Sequence, residues 1–190
     1  MFPLLVKFLF TAVILLFVLR IACQLSQVRF HNRLVFWIVQ LTDILIRPAR
    51  KFLPGWKYFD LSTLLAGLLV TSISYILFFY LYYSITLPFT RLLLWSVVTM
   101  LSLLIDIYFW ATLITVLLSW IAPFSMHPVA ELAKQLIHMP VGLLRRYVPS
   151  LAGLDFSPMI FILALTLADS IVVSSLRMTF HVPLIFSLGL

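Results

Sequence analysis

The sequence predicts an all-α membrane protein with four transmembrane helices in two parallel repeats. Each repeat is a helix, an amphipathic interfacial segment and a second helix. Three observations carry this. First, 64% of the 190 residues are hydrophobic and only 10% charged, against about 25% charged in an ordinary soluble domain. Second, four stretches are long and apolar enough to span a bilayer. Third, a long loop occurs twice at a constant offset. The composition, with a mean hydropathy of +1.17, excludes a cytosolic enzyme, a disordered tail and a soluble nucleic-acid-binding domain. A single cysteine, Cys23, excludes an internal disulfide and a cysteine-built metal site.

Crossing a bilayer takes roughly 20 apolar residues, and the qualifying stretches are Leu4–Leu25, Leu61–Ile85, Leu92–Ile121 and Phe156–Leu176. The first is not read as a cleaved leader, although Ala22-Cys23 resembles a lipoprotein site. Arg20 stands third before Cys23, where such a site needs an apolar residue. The third stretch would be about 45 Å long at 1.5 Å per residue, so it must tilt, kink or protrude. Pro88 and Pro123 bracket it. Beyond Arg177, the apolar tail of residues 178–190 is too short to span and is expected to lie at the interface.

The segments between spans are amphipathic. Over 34–53 the polar residues are Gln40, Asp43, Arg47 and Arg50/Lys51; over 129–147 they are Glu131, Lys134/Gln135, His138 and Arg145/Arg146. Steps of three and four residues form one narrow polar face, as in a helix lying among headgroups. Pro48 and Pro140 are expected to break each segment into two short helices.

These segments repeat each other. "QLTDILIRPARKFLPGWKYFDLST" aligns without a gap on "QLIHMPVGLLRRYVPSLAGLDFSP". Gln40 falls on Gln135, Arg50 on Arg145, Lys51 on Arg146, Pro54 on Pro149, Asp60 on Asp155 and Ser62 on Ser157, each 95 positions apart. The first unit covers 1–85 and the second 92–177. Because each crosses twice, the copies share one orientation, about an axis along the membrane normal.

Nine of the 13 basic residues lie in these two segments; Lys7, Arg91 and Arg177 fall on the other side and Arg20 inside span one. The positive-inside rule then puts both loops in the cytoplasm and both termini outside. Trp37, Trp56, Trp95 and Trp120 near the predicted boundaries read as interfacial belts.

Each loop ends on a basic pair, a proline and an acidic residue with Ser two positions later. Ser157-Pro158 reads as a helix start, with the Ser hydroxyl as cap, and Ser62 as its counterpart. Asp60 and Asp155 favour the positive helix ends and stand ten residues after Arg50 and Arg145, within reach through a turn. The motif serves either as a salt-bridged re-entry turn or as a phosphate or anionic-lipid site on the Arg pair.

"LLRRYVPSLAGLDFSPMI" resembles the signature of the YggT (also called YlmG) family of small membrane proteins, and "RPARKFLPGWKYFDLSTLL" its weaker first copy. That family is built from a tandem repeat, so the likeness covers nearly the whole chain. Leu118-Ser119-Trp120 and His127-Pro128 resemble its Ser-Trp and Asn-Pro positions, with His in place of Asn; Asn32-Arg33 keeps the Asn and loses the Pro. The resemblance implies a bacterial inner-membrane protein linked to osmotic and potassium stress or to cell division. Plastid relatives take part in maturation of the photosynthetic cytochrome b-type complex and in nucleoid distribution. No shared catalytic residue is implied.

Three charges lie within spans, where ionisable residues are functional suspects. Arg20, about 7.5 Å from its helix end, is expected to snorkel to the interface. Asp106 and Asp169 fall mid-span, in register with Thr11 and Ser74 of the other copy. They either pack as neutral hydrogen-bonded groups or line a polar path for cations or protons. Neither has the Gly-flanked setting of an intramembrane aspartyl protease. His31, His127, His138 and His181 show no ligand spacing, so no metal and no cofactor is expected.

The expectation is a non-enzymatic inner-membrane protein supporting assembly or organisation of a membrane complex. The alternative is a small ion or osmolyte pathway. Expected partners are the bilayer, anionic headgroups, a membrane or cytoplasmic protein and further copies of the chain, but not nucleic acid.

Overall fold

The structure is a computed structural model and describes residues 2–28, 32–50, 60–122, 127–148, 155–186 and 188. The described residues form helices and no strand: α1 (Phe2–Leu25), α2 (Arg33–Arg50), α3 (Leu61–Tyr83), α4 (Phe89–Ile121), α5 (Pro128–Leu144), α6 (Ser157–Ala168) and α7 (Ser174–Phe180). One π-helical turn, Asp169–Val173, joins α6 to α7, so Ser157–Phe180 runs as a single span. Four helices are therefore long and apolar enough to cross a membrane, α1, α3, α4 and this last span.

α1 and α4, the first helices of the two repeats, pack on each other at the centre. α1 carries α2 and α3 on its flanks, and α4 carries α5 and α6. α2 meets α5 across the same pseudo-symmetric junction, and α3 packs on α4. The helices approach closely at Gly67 of α3. A Cβ there would lie 2.7 Å from the tip of Met100 on α4 and 3.5 Å from Cβ of Phe17 on α1.

The amphipathic segments are single helices. α2 runs through Pro48 to Arg50 and α5 through Pro140 to Leu144, so the expected breaks are corrected. Each proline lies in the last two turns of its helix, so few backbone bonds follow the one it removes. α2 buries Val35, Ile38, Thr42 and Ile46, steps of three and four that form one face. Phe36, Trp37, Leu41, Ile44 and Leu45 stay exposed. Pro88 caps α4 in an extended conformation; Pro123 lies outside the described residues.

The tail packs back onto the bundle. The last span continues to Phe180, and His181 turns the chain with φ 51°. Val182 and Phe186 are then buried, Phe186 completely. Its ring meets Phe10, Tyr75 and Phe78 at centroid distances of 6.3, 4.9 and 5.9 Å. The tail thus fills the end of the bundle that holds both termini. Trp95 is drawn into the same cluster rather than a belt: it is buried and its indole N–H donates to Phe180 O at 2.9 Å. Trp37 and Trp120 are exposed as expected; Trp56 lies outside the described residues.

Candidate functional site

The repeated motif builds one clasp per repeat. Asp60 caps α3, its Oδ1 accepting from the Ser62 N–H at 3.0 Å, while Oδ2 accepts from Nε and Nη2 of Arg50 at 2.9 and 2.7 Å. In the second repeat, Asp155 Oδ1 accepts from the Ser157 N–H at 3.0 Å and Oδ2 from Arg145 Nε at 2.7 Å. Asp60 is therefore the N-cap of α3, and Asp155, one residue ahead of the N-cap Phe156, holds the first N–H of α6 in the same way; the Ser62 and Ser157 side chains are buried. Asp reaches forward two residues to a free N–H and keeps a second oxygen for the arginine.

Burial works to raise the Asp60 carboxyl, but the hydrogen bonds and charge of Arg50, with Thr63 and the Ser62 N–H, hold it below its ordinary value. Asp155 is held low in the same way by Ser157 and Arg145, against a raising effect of burial. Pro158 takes the early helical position where its missing N–H costs nothing. Arg146 is exposed and makes no ion pair among the described residues. Lys51, Pro54 and Pro149 lie outside those residues.

The helix-entry turns also correspond. Asn32 Oδ1 accepts from Leu34 N–H at 2.9 Å, and His127 Nδ1 from Val129 N–H at 3.3 Å. His127 therefore fills the capping role that the Asn position has in the first repeat. Asn32 also donates to Pro128 O at 2.8 Å, tying the two turns together. Ser26 donates to Leu136 O at 2.7 Å and bonds Tyr108 OH at 2.8 Å, a second polar tie across the repeats.

Arg20 does not snorkel. It is only 4% exposed and donates to Asp43 Oδ1 at 2.7 Å, to Val39 O at 3.0 Å and to Thr42. Asp43 also faces Arg50 at 3.7 Å and Arg47 at 3.8 Å. α2 packs against α1 and brings these acceptors within reach of the guanidinium. The second repeat has Thr115 and His138 in these two registers and lacks the pair.

Asp106 and Asp169 are brought together. Asp106 is 1% and Asp169 8% exposed; Asp169 and Arg177 lie close enough for their charges to act on Asp106, and the Leu188 backbone approaches it. Neither oxygen of Asp106, nor Oδ1 of Asp169, has a side-chain hydrogen-bond partner among the described residues. Arg177, read from sequence as lying beyond the last span, is inside it and donates to Ser102. The available signal was the spacing of Trp95, Thr99, Ser102 and Asp106, which marks one face of α4.

No group of three His, Cys, Asp or Glu side chains capable of holding a metal occurs among the described residues. His138 borders a cleft of about 280 Å³ with Lys134, Glu131, Ser26 and Gln27. His31 lies outside the described residues.

The model of the family described as CCB3/YggT matches the chain twice in succession, over residues 2–92 and 94–176. The chain belongs to this family. Its two tandem matches agree with the 95-residue offset of the motif and with the paired Arg–Asp clasps. The chain is 34% identical to the uncharacterized protein PA0392 of Pseudomonas aeruginosa, over 90% of this chain and 87% of that one. It is 30% identical to the uncharacterized protein YggT of Escherichia coli over the same shares. A Vibrio alginolyticus protein encoded in the proC 3' region is 25% identical over 87% of this chain and 89% of its own length. No solved structure matches.

Proposed function

We propose that the chain is a non-enzymatic protein of the bacterial inner membrane that supports assembly or organisation of a membrane complex. One observation carries this reading. Only 6% of the most apolar window of the last span is buried, against 28–33% in the other three spans. Met159, Leu163, Leu167, Ile171 and Met178 of that span stay exposed, leaving a transmembrane face for a partner helix or a second copy. Both basic loops face the cytoplasm and both termini lie outside. That orientation is supported by the loop charge bias and by the internal position of Arg177, which no longer counts as an exterior charge. Exposed Arg146 and the Lys134–His138 cleft are the groups available to anionic headgroups or a cytoplasmic partner.

Photo-cross-linking from Leu163 and Leu167 in native membranes tests this. Discrete protein adducts are expected; adducts to lipid alone would refute partner docking on this face. The juxtaposed Asp106 and Asp169 favour a second reading, a small ion or osmolyte pathway. Loss of cation flux in reconstituted vesicles on changing Asp106→Asn and Asp169→Asn would establish it over the first.

A further inference from the structure

α1 ends beside a polar cleft and, a little earlier along its length, flanks an apolar groove. The cleft, about 280 Å³, is walled by Ser26 and Gln27 just past the end of α1 and by Glu131, Lys134, Gln135 and His138 of α5. Lys134 is half-buried there and makes no ion pair among the described residues. Glu131 stands one turn away on the same helix, but its carboxylate accepts from Gln135 Nε2 at 2.9 Å. The cleft therefore offers a cation and, about 4.5 Å along the helix axis, a carboxylate, with no net charge between them. A purely anionic group would meet that carboxylate as a like charge, whereas a zwitterion is matched at both ends.

The groove, about 230 Å³, lies between Val18 and Ile21 of α1, Leu64 and Leu68 of α3, and Leu101 and Leu104 of α4. All the described residues that line it are apolar, and half-exposed Val97 on its edge opens it to the surface of the span. An empty apolar space forfeits the contacts of its lining, and within a span the surrounding hydrocarbon can fill it. Leu64 and Leu68 stand one and two turns in from the start of α3, about 5 and 10 Å. That depth lies inside the loop-side half of a hydrocarbon core roughly 30 Å thick. Groove and cleft follow each other along α1, with Ile21 and Ser26 about 7.5 Å apart. Val97, Leu101, Leu104 and Tyr108 share one face of α4, and the Tyr108 hydroxyl bonds Ser26 at 2.8 Å. That face leads from the groove to the wall of the cleft. We propose that the two cavities hold one phospholipid of the loop-side leaflet, with its phosphoethanolamine headgroup in the cleft and one acyl chain in the groove. Lys134 takes the phosphate and Glu131 the ammonium. The proposal builds on the reading of this cleft as a headgroup contact and is independent of partner docking on the last span.

The test reconstitutes the full chain in nanodiscs of phosphatidylethanolamine and phosphatidylglycerol with identical acyl chains, releases it into mild detergent and weighs it by native mass spectrometry. One phosphatidylethanolamine is expected to stay on each chain, in preference to phosphatidylglycerol. Lys134→Gln should lower that retention about tenfold or more, as for the loss of a hydrogen bond to a charged group, and Lys134→Arg should keep it. Val97→Trp, which fills the groove from its edge, should also lower it, with Val97→Phe as the milder filling. Arg146→Gln, outside the cleft, should leave it unchanged. Each variant is compared at matching helix content by circular dichroism, and unchanged cross-links from Leu163 keep this result separate from partner docking. A graded series of adducts that does not distinguish the headgroups would overturn the proposal, as would a preference for phosphatidylglycerol. So would retention unchanged by Lys134→Gln, or an equal loss with Arg146→Gln, which would indicate diffuse attraction. Retention unchanged by both Val97 variants, or free phosphoethanolamine held as firmly as the lipid, would remove the chain from the groove and overturn the single-lipid site.

Discussion

Removing Asp43 while leaving Arg20 in place isolates what the buried guanidinium requires. Arg20 is 4% exposed, and its Nε already lacks a hydrogen-bond partner. Asp43→Ala removes the 2.7 Å ion pair and also the carboxylate that balances Arg47 and Arg50 at 3.8 and 3.7 Å. The result is an uncompensated buried cation at Arg20, while Arg50 keeps its pair with Asp60, and a loss of about 3–5 kcal/mol is expected. A snorkelling Arg20 would be bathed by headgroups and water, and the same change would cost only about 0.2–1 kcal/mol, as for an exposed pair. The two outcomes are well separated. Reversible unfolding of the purified chain in bicelles, followed by steric trapping, measures the difference. Arg20→Met with Asp43→Leu provides the control, since replacing both charges by apolar side chains should recover most of the stability. A loss below about 1 kcal/mol for Asp43→Ala would refute the buried pairing and restore the interfacial arginine.

Four further outcomes follow from the same geometry. Gly67→Ala should be tolerated, because the added Cβ crowds only the flexible tip of Met100 and meets Phe17 Cβ at ordinary contact distance. Gly67→Leu should cost about 1–3 kcal/mol by overpacking, measured by the same trapping assay. Asp60→Ala and Asp155→Ala should each lose about 0.5–2 kcal/mol as helix caps. The larger loss is expected at Asp60, whose side chain is 13% exposed against 37% for Asp155.

Both carboxyls titrate below their ordinary 3.8 when folded, so the folded state holds fewer protons than the unfolded one. Their contribution is therefore complete at neutral pH and lost as pH falls through 3.8 and the lower folded values. A pH titration of stability should show that acid-side loss, and Asp60→Asn should reduce it. In intact cells, an introduced Ser84→Cys should react with a membrane-impermeant thiol reagent and Gln27→Cys should not; the reverse pattern would invert the topology.

Much of the clasp is legible because it depends on short spacing. Arg and Asp stand ten residues apart in either repeat, near enough along the chain to pair, so Arg50–Asp60 and Arg145–Asp155 follow from the motif. The cap assignment is harder to read, since Asp and Ser both cap well and only the backbone path decides which side chain reaches the free N–H. Arg20 is misread because helix depth alone favours the nearest interface. Its partner Asp43 comes from a different helix, 23 residues later. The packing of the tail is hidden for a related reason: a 13-residue segment is too short to span, but length does not say whether the bundle has room for it.

Apolar run length, the period of the amphipathic segments and the 95-residue offset determine four spans, two amphipathic helices, the tandem repeat and the family. These are local or self-similar properties, because a backbone in lipid must satisfy its hydrogen bonds within each helix. Tertiary structure alone decides that Asp169 and Arg177 come within electrostatic reach of Asp106, and that Phe186 is buried against Tyr75. Those relations join residues 63 to 111 positions apart. They depend on how α4, the π turn and the tail pack, and no spacing along the chain encodes that packing.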